Sequence, residues 1–165
     1  SKLGNYCINY FSMNKIVTVM KHIPGHGLAN VDSHISTPIV LENKKLLNKN
    51  DFSVFKNKKT FLAMTSHIIY KNFDPNYTAT HSKIIIKKII RKKLKYKNII
   101  ISDDISMKSL KFSFKDNVSK AFNAGCNLVL HCNANINEMN ELAKISPEID
   151  NFTLKKTSQL YKFLM

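Results

Sequence analysis

Four short apolar runs constrain this sequence most: Lys15–Met20 (KIVTVM), Thr60–Thr65 (TFLAMT), Asn98–Ser102 (NIIIS) and Asn127–His131 (NLVLH). Each is almost continuously apolar, the pattern of a strand covered on both faces in a parallel sheet. Polar loop residues and then a helical stretch follow each run. The starts lie roughly 30 to 45 residues apart, the length of a β-loop-helix unit. Alternation of this kind specifies an α/β protein. No repeat, Gly/Ser linker or Pro-rich stretch divides the chain, so one folding unit is expected over residues 1–165.

The strongest helical pattern is Ser82–Lys95 (SKIIIKKIIRKKLK). There Ile85, Ile86, Ile89, Ile90 and Leu94 share one face and lysines occupy the other. Such a helix could lie on an anionic membrane; the preferred reading is that it packs its apolar stripe on the sheet. A second helix is expected over Asp116–Ala124, with Asp116 as N-cap and Gly125 just beyond its end.

The net charge of +15 raises the question of a polyanion partner. Arg91 is the only arginine, however, and base and phosphate readers favour that residue's bidentate fork. Lysine, asparagine and isoleucine are abundant throughout rather than gathered in a motif, so no specific nucleic-acid partner is expected. Three cysteines without C-x-x-C spacing argue against a disulfide framework or a zinc site. No run approaches the ~18 apolar residues of a bilayer span. The first residues carry neither a charged nor an apolar leader segment, and no initiator Met, so a cytoplasmic chain beginning inside a longer frame is expected.

Three polar clusters follow the strand runs, where the loops of α/β folds carry function. The first is Lys21-His22-Ile23-Pro24-Gly25-His26-Gly27, continuing to Asp32-Ser33-His34. Its Pro and Gly residues exclude the helix that an HExxH-type metal pair requires. They describe instead a tight turn with backbone close to a ligand. A carboxylate two residues before an imidazole can orient it and tune its proton affinity. The second cluster is Ser102-Asp103-Asp104-Ile105-Ser106-Met107. Here either Ser102 or Asp104 caps the next helix, or one aspartate enters a site as nucleophile or ligand. The third, Ser66-His67, reads equally as structural or functional.

In order and spacing, KHIPGHG, DSH, AMTSHIIY, IISDDISM and AGCNLVLHCN resemble the bacterial β-N-acetylglucosaminidases of glycoside hydrolase family 3, over roughly residues 15–135. The resemblance implies a partial (β/α)8 TIM-like barrel of about four C-terminal βα units. It also implies removal of terminal N-acetylglucosamine from muropeptides or chitooligosaccharides, in peptidoglycan recycling in the cytoplasm. By motif, Asp103 is the expected nucleophile and His34 the acid/base, held by Asp32 on a mobile loop. Lys21 and His22 are expected to bind sugar hydroxyls; His26 is given no role. No metal or other cofactor is implied. A separately encoded N-terminal half-barrel is the expected partner.

Two departures accompany the resemblance. Lys95-Tyr96-Lys97-Asn98 stands where the family has a glycine-containing turn, and Asn127 where it commonly has an acid. The strands expected before Lys15 are missing. Two alternatives therefore stand beside the glycosidase: a remnant inactive alone, and a basic nucleic-acid- or membrane-surface module built on Ser82–Lys97.

Overall fold

The computed structural model describes residues 2–165. A four-stranded, all-parallel sheet forms its centre in the order β1-β3-β5-β6, from β1 (Val19–Ile23), β3 (Leu62–Thr65), β5 (Ile99–Asp104) and β6 (Leu128–Leu130). Beside it, β2 (Ile39–Val40) and β4 (Ile69–Tyr70) pair in parallel. All four predicted runs contribute strands, each next to its successor, as in a barrel opened along one side.

Two strands lie further along the chain than predicted, and the reason is local. Helix α1 (Lys2–Met13) ends with Lys15 at φ 57, the Lys15 N–H donating to Ser12 O and the Ile16 N–H to Phe11 O. This Schellman ending consumes Lys15 and Ile16, so β1 starts at Val19 and carries Lys21 and His22 on the strand itself. Similarly, β5 runs through Asp103 and Asp104 rather than stopping at Ser102.

Coverage of the sheet is uneven: on β5 the consecutive Ile99 and Ile100, which face opposite ways, are both buried as expected, whereas on β3 and β6 one face or more is only half-covered. Along β3, Ala63 and Thr65 are buried while Leu62 and Met64 are only half-buried, and all three β6 residues are half-buried. The covered face meets the π-helix Ile84–Lys93, whose Ile85, Ile86, Ile89 and Ile90 join Ala63, Ile100, Val118 and Ala121 in one core. Burying each of these isoleucines stabilises the fold by roughly 1.5–3 kcal/mol. The apolar stripe of this basic helix is thus spent on the sheet rather than offered to a membrane. Among the described residues, no helix is long and apolar enough to cross one.

Helix α3 (Phe114–Ala124) starts earlier than predicted. Ser113 is its N-cap, accepting from the Asp116 N–H, and Asp116 sits in the first turn. Gly125 closes the helix at φ 118, and a Cβ there would come within 3.1 Å of Ile86. Helices α2 (Lys44–Lys49), α4 (Ile136–Ile145) and α5 (Asn151–Leu164) complete the chain, the last two capped by Asn135 and Asp150.

Arg91 is consumed internally. Its guanidinium donates to Tyr96 O and Asn98 O and, at 2.8 Å, to Asn127 Oδ1, tying the helix end to the starts of β5 and β6. Asn127 Oδ1 also accepts the Ile100 N–H. The amide at this position therefore supplies the acceptor that a carboxylate would.

Candidate active site

The carboxyl ends of β1, β3 and β5 bring three of the predicted clusters together. On β1, half-buried His22 places Nε2 3.3 Å from Asp103 Oδ2 on β5. His26, in the turn beyond β1, lies against His22 with ring centroids 5.3 Å apart. Burial holds the His22 pKa below the usual 6.5, and the nearby His26, Lys21 and His67 push the same way, against the opposing pull of Asp103. His22 is therefore a neutral imidazole near pH 7, able to donate from one ring nitrogen and accept at the other. Lys21 is exposed on β1, close enough for its charge to disfavour a proton on His22.

Asp103 is largely enclosed, its side chain 18% exposed. One of its oxygens, Oδ1, accepts the Asp104 N–H at 2.9 Å, leaving Oδ2 on the His22 side. Asp104 takes a different part: its Oδ1 accepts from Ser106 N, Ser106 Oγ and Cys132 N. It binds the β5 loop to the β6 loop and caps no helix. Ser102 is buried in the strand, where its Oγ accepts the Leu130 N–H.

The structure answers the open question at His67. Its ring is buried at the end of β3, with Nδ1 2.7 Å from Thr80 Oγ1 and Nε2 2.9 Å from Asp104 O. Both nitrogens are engaged, and burial lowers its pKa. His67 is a neutral strut beneath the site.

Asp32 and His34 form a local unit on the loop between β1 and β2. Asp32 Oδ1 lies 2.8 Å from His34 Nδ1 and also accepts the His34 N–H at 2.9 Å. The Asp32 carbonyl accepts from Ile35 and Ser36, so the turn itself fixes the pair. This hydrogen bond raises the His34 pKa above 6.5, with the charges of Asp32, Asp103 and Asp104 adding to it. The His34 amide and ring together lower the Asp32 pKa. Both side chains are open to solvent, His34 76% exposed and Asp32 58%. The pair is preformed, on a loop that leaves it outside the enclosed centre around Asp103.

Two residues at the site were not anticipated from sequence. Asp51, just beyond α2, accepts the Gly27 N–H at 3.2 Å, and buried Tyr70 on β4 donates its hydroxyl to Gly25 O at 2.6 Å. Asp51 comes from a segment with no motif, whereas Tyr70 closes the AMTSHIIY motif without being singled out there; the need of a glycine-rich turn for outside partners is the one hint at either. A cleft of about 410 Å³ at the amino end of β6, lined by Asn127, Asp150 and Thr153 among others, touches none of the site residues.

A parallel β-loop-α sheet with an Asp and His pair at its carboxyl edge defines part of a barrel-type α/β scaffold, with its polar residues where such barrels carry their sites. The profile of the glycosyl hydrolase family 3 N terminal domain matches residues 1–158, and the chain belongs to that family. It is 39% identical over 119 residues to a beta-hexosaminidase of Haemophilus influenzae, a match covering 68% of this chain and 34% of that protein. A beta-hexosaminidase of Shewanella frigidimarina is 33% identical over 127 residues, covering 73% of this chain and 37% of its own length. The chain thus matches about a third of the length of these curated relatives. Among solved structures, a family 3 β-N-acetylglucosaminidase from Paenibacillus superposes with TM-score 0.88 at 22% identity, over 98% of this chain and 34% of that one. The β-N-acetylglucosaminidase of Thermotoga maritima gives TM-score 0.75 at 25% identity, over 98% and 37% of the respective chains.

Proposed function

We propose that this chain carries the catalytic residues of a retaining β-N-acetylhexosaminidase acting on terminal N-acetylglucosamine, in muropeptides during cytoplasmic peptidoglycan recycling. The observation that carries the reading is the division of labour at the carboxyl edge. An enclosed carboxylate, Asp103, faces His22, while a carboxylate-backed imidazole, His34, waits on an exposed loop.

Asp103 Oδ2 attacks the anomeric carbon, forming a glycosyl ester as the bond to the leaving oxygen breaks. His34, protonated with the help of Asp32, gives its proton to that oxygen as the aglycone departs. The same imidazole then takes a proton from water, whose oxygen attacks the anomeric carbon and releases Asp103. Movement of the loop brings His34 over the sugar for both steps. Using an imidazole rather than a second carboxylate avoids like-charge repulsion against Asp103. Neutral His22 and the Lys21 ammonium hydrogen-bond sugar hydroxyls, holding the ring above Asp103.

The sheet edges at β1 and β6 are open to further strands, and pairing there with the rest of a family 3 barrel encloses the sugar. The test combines this chain with the N-terminal segment of a family member and follows release from an aryl N-acetylglucosaminide. Turnover that Asp103→Asn abolishes without changing the circular dichroism supports the reading. Near-normal turnover by that variant would remove Asp103 from the mechanism.

A further inference from the structure

We infer that Asp51 is a positioning residue: its carboxylate fastens the Pro24–Gly27 turn from below and thereby holds His22 against Asp103. The inference deepens the glycosidase reading, in which His22 binds sugar, but its geometry stands apart from turnover.

The turn is gripped at two points. Asp51 Oδ1 accepts the Gly27 N–H at 3.2 Å, and on the other side the Tyr70 hydroxyl donates to Gly25 O at 2.6 Å. Between these points the carboxylate lies so close to Gly25 that a Cβ there would fall 2.2 Å from Asp51 Oδ2. The absence of a side chain at Gly25 is what admits the carboxylate under the turn. Asp51 Oδ2 is itself buried without a hydrogen-bond partner, and burial raises the Asp51 pKa against the opposing effect of the Gly27 and His26 amides on the carboxylate. A buried, unpaired carboxylate oxygen is costly, and here it sits under the turn that carries the site.

The turn is the continuation of β1 immediately after His22 and Ile23, and it carries His26, whose ring lies against His22. Fixing Gly25 and Gly27 therefore restricts His22 from its C-terminal side, while the pairing of β1 with β3 restricts it from the other. Asp51 does not approach the reacting atoms; it acts through the backbone of the turn.

The test follows the titration of isotope-labelled histidines by NMR in this chain assembled with the unlabelled N-terminal segment of a family member, and in its Asp51→Ala, Asp51→Leu and Asp51→Asn variants. His22 is held below 6.5 because burial outweighs the opposing pull of Asp103, so release from both together moves it upward. Loss of the fastening in Asp51→Ala exposes it, and its pKa rises toward 6.5, while His34, which depends on Asp32, does not move. Asp51→Leu fills the space without an acceptor and behaves likewise if Asp51→Ala is too unstable to titrate. Asp51→Asn retains an acceptor for Gly27 N–H and restores the wild-type value. An unmoved His22 in a folded Asp51→Ala or Asp51→Leu variant overturns the inference. So does failure of both to fold beside a folded Asp51→Asn, which would make Asp51 a residue of the fold as a whole. A His22 that moves as expected in a chain whose assembled form never hydrolyses the glycoside would refute the glycosidase reading and leave the fastening in place.

Discussion

His22 on β1 and Asp103 on β5 meet at 3.3 Å although β3 lies between their strands. Two strand spacings separate their backbones by about 9.6 Å, so each side chain must reach inward over the end of β3. The occupant of that end, His67, is held below them by Thr80 and by Asp104 O. The contact therefore brings together the carboxyl ends of strands on either side of β3, and it places a neutral imidazole beside the carboxylate proposed above as the nucleophile.

The Asp32–His34 pair sets the first expectation. Because Asp32 raises the His34 pKa, Asp32→Asn should lower the His34 titration toward 6.5. In an assembled enzyme, His34→Ala should slow natural glycosides at least 10²-fold more than aryl glycosides with acidic leaving groups, which need little protonation. Equal losses on both substrates, measured as kcat/KM, would make His34 a sugar-positioning residue instead.

Acid should destabilise the fold through its buried histidines. His81 is buried against Asn117 O, with Nε2 at 3.1 Å, and burial lowers its pKa to about 4. Unfolded, it takes up a proton through 6.5; folded, it stays neutral until about 4. The unfolded state binds more protons in that window, so stability falls as pH drops through it, by about 3 kcal/mol at most. His67 adds a loss of the same sign. Urea melts at pH 7 and pH 4.5 should show a smaller difference for His81→Gln than for wild type, and identical differences would contradict this account.

The strand periods, the apolar helix face and the site motifs were all legible because each rests on local spacing. Ile85, Ile86, Ile89 and Ile90 are buried as their pattern requires, and Gly25 and Gly27 stand in a turn, although the group close to their backbone is the chain's own Asp51 carboxylate. What the sequence could not show was set by competition between near neighbours or by partners distant in the chain. The apolar character of Lys15–Met20 says strand, yet the α1 ending takes its first residues. Asp116 has the chemistry of an N-cap, but Ser113 reaches the orphan amide first and leaves Asp116 in the first turn, where a negative charge also suits the helix dipole. Asp51 lies 24 residues from Gly27 with no motif to join them. Likewise His67 looks the same in sequence whether its ring faces a substrate or Thr80.

Lys95, in the segment that departs from the family pattern, offers a stability test. It follows the π-helix with φ 58, a left-handed conformation that a lysine adopts at a cost of roughly 1–2 kcal/mol. The side chain is exposed, so replacing it loses little packing. Lys95→Gly should stabilise the chain by about 0.5–1 kcal/mol after the extra flexibility of unfolded glycine is counted. A lowered melting midpoint would show that the Lys95 side chain supports the fold in a way its exposure does not reveal.

A polypeptide of these 165 residues should not be an efficient glycosidase alone. Both outer strands of the sheet, β1 and β6, have an unpaired side, and rows of open N–H and C=O groups on parallel strands invite association. Apolar surface adds to this: Leu3 and Tyr6 on α1 are 73% and 70% exposed, and Val19 on the β1 edge is 40% exposed. The same openness acts on the chemistry. Stabilising charge at the anomeric centre requires fixed groups and excluded water, and here the sugar would meet solvent on the side where neighbouring strands should stand. The dyad at His34, wholly at the surface, has no opposing wall to close against. The isolated chain should therefore self-associate in sedimentation or light scattering and release little product from an aryl N-acetylglucosaminide. Adding an N-terminal half-barrel should lower the apparent mass per assembly and raise turnover together, because pairing the strand edges and closing the site are one event. A soluble monomer with the full activity of a complete barrel would show that β1, β3, β5 and β6 alone suffice to organise the site.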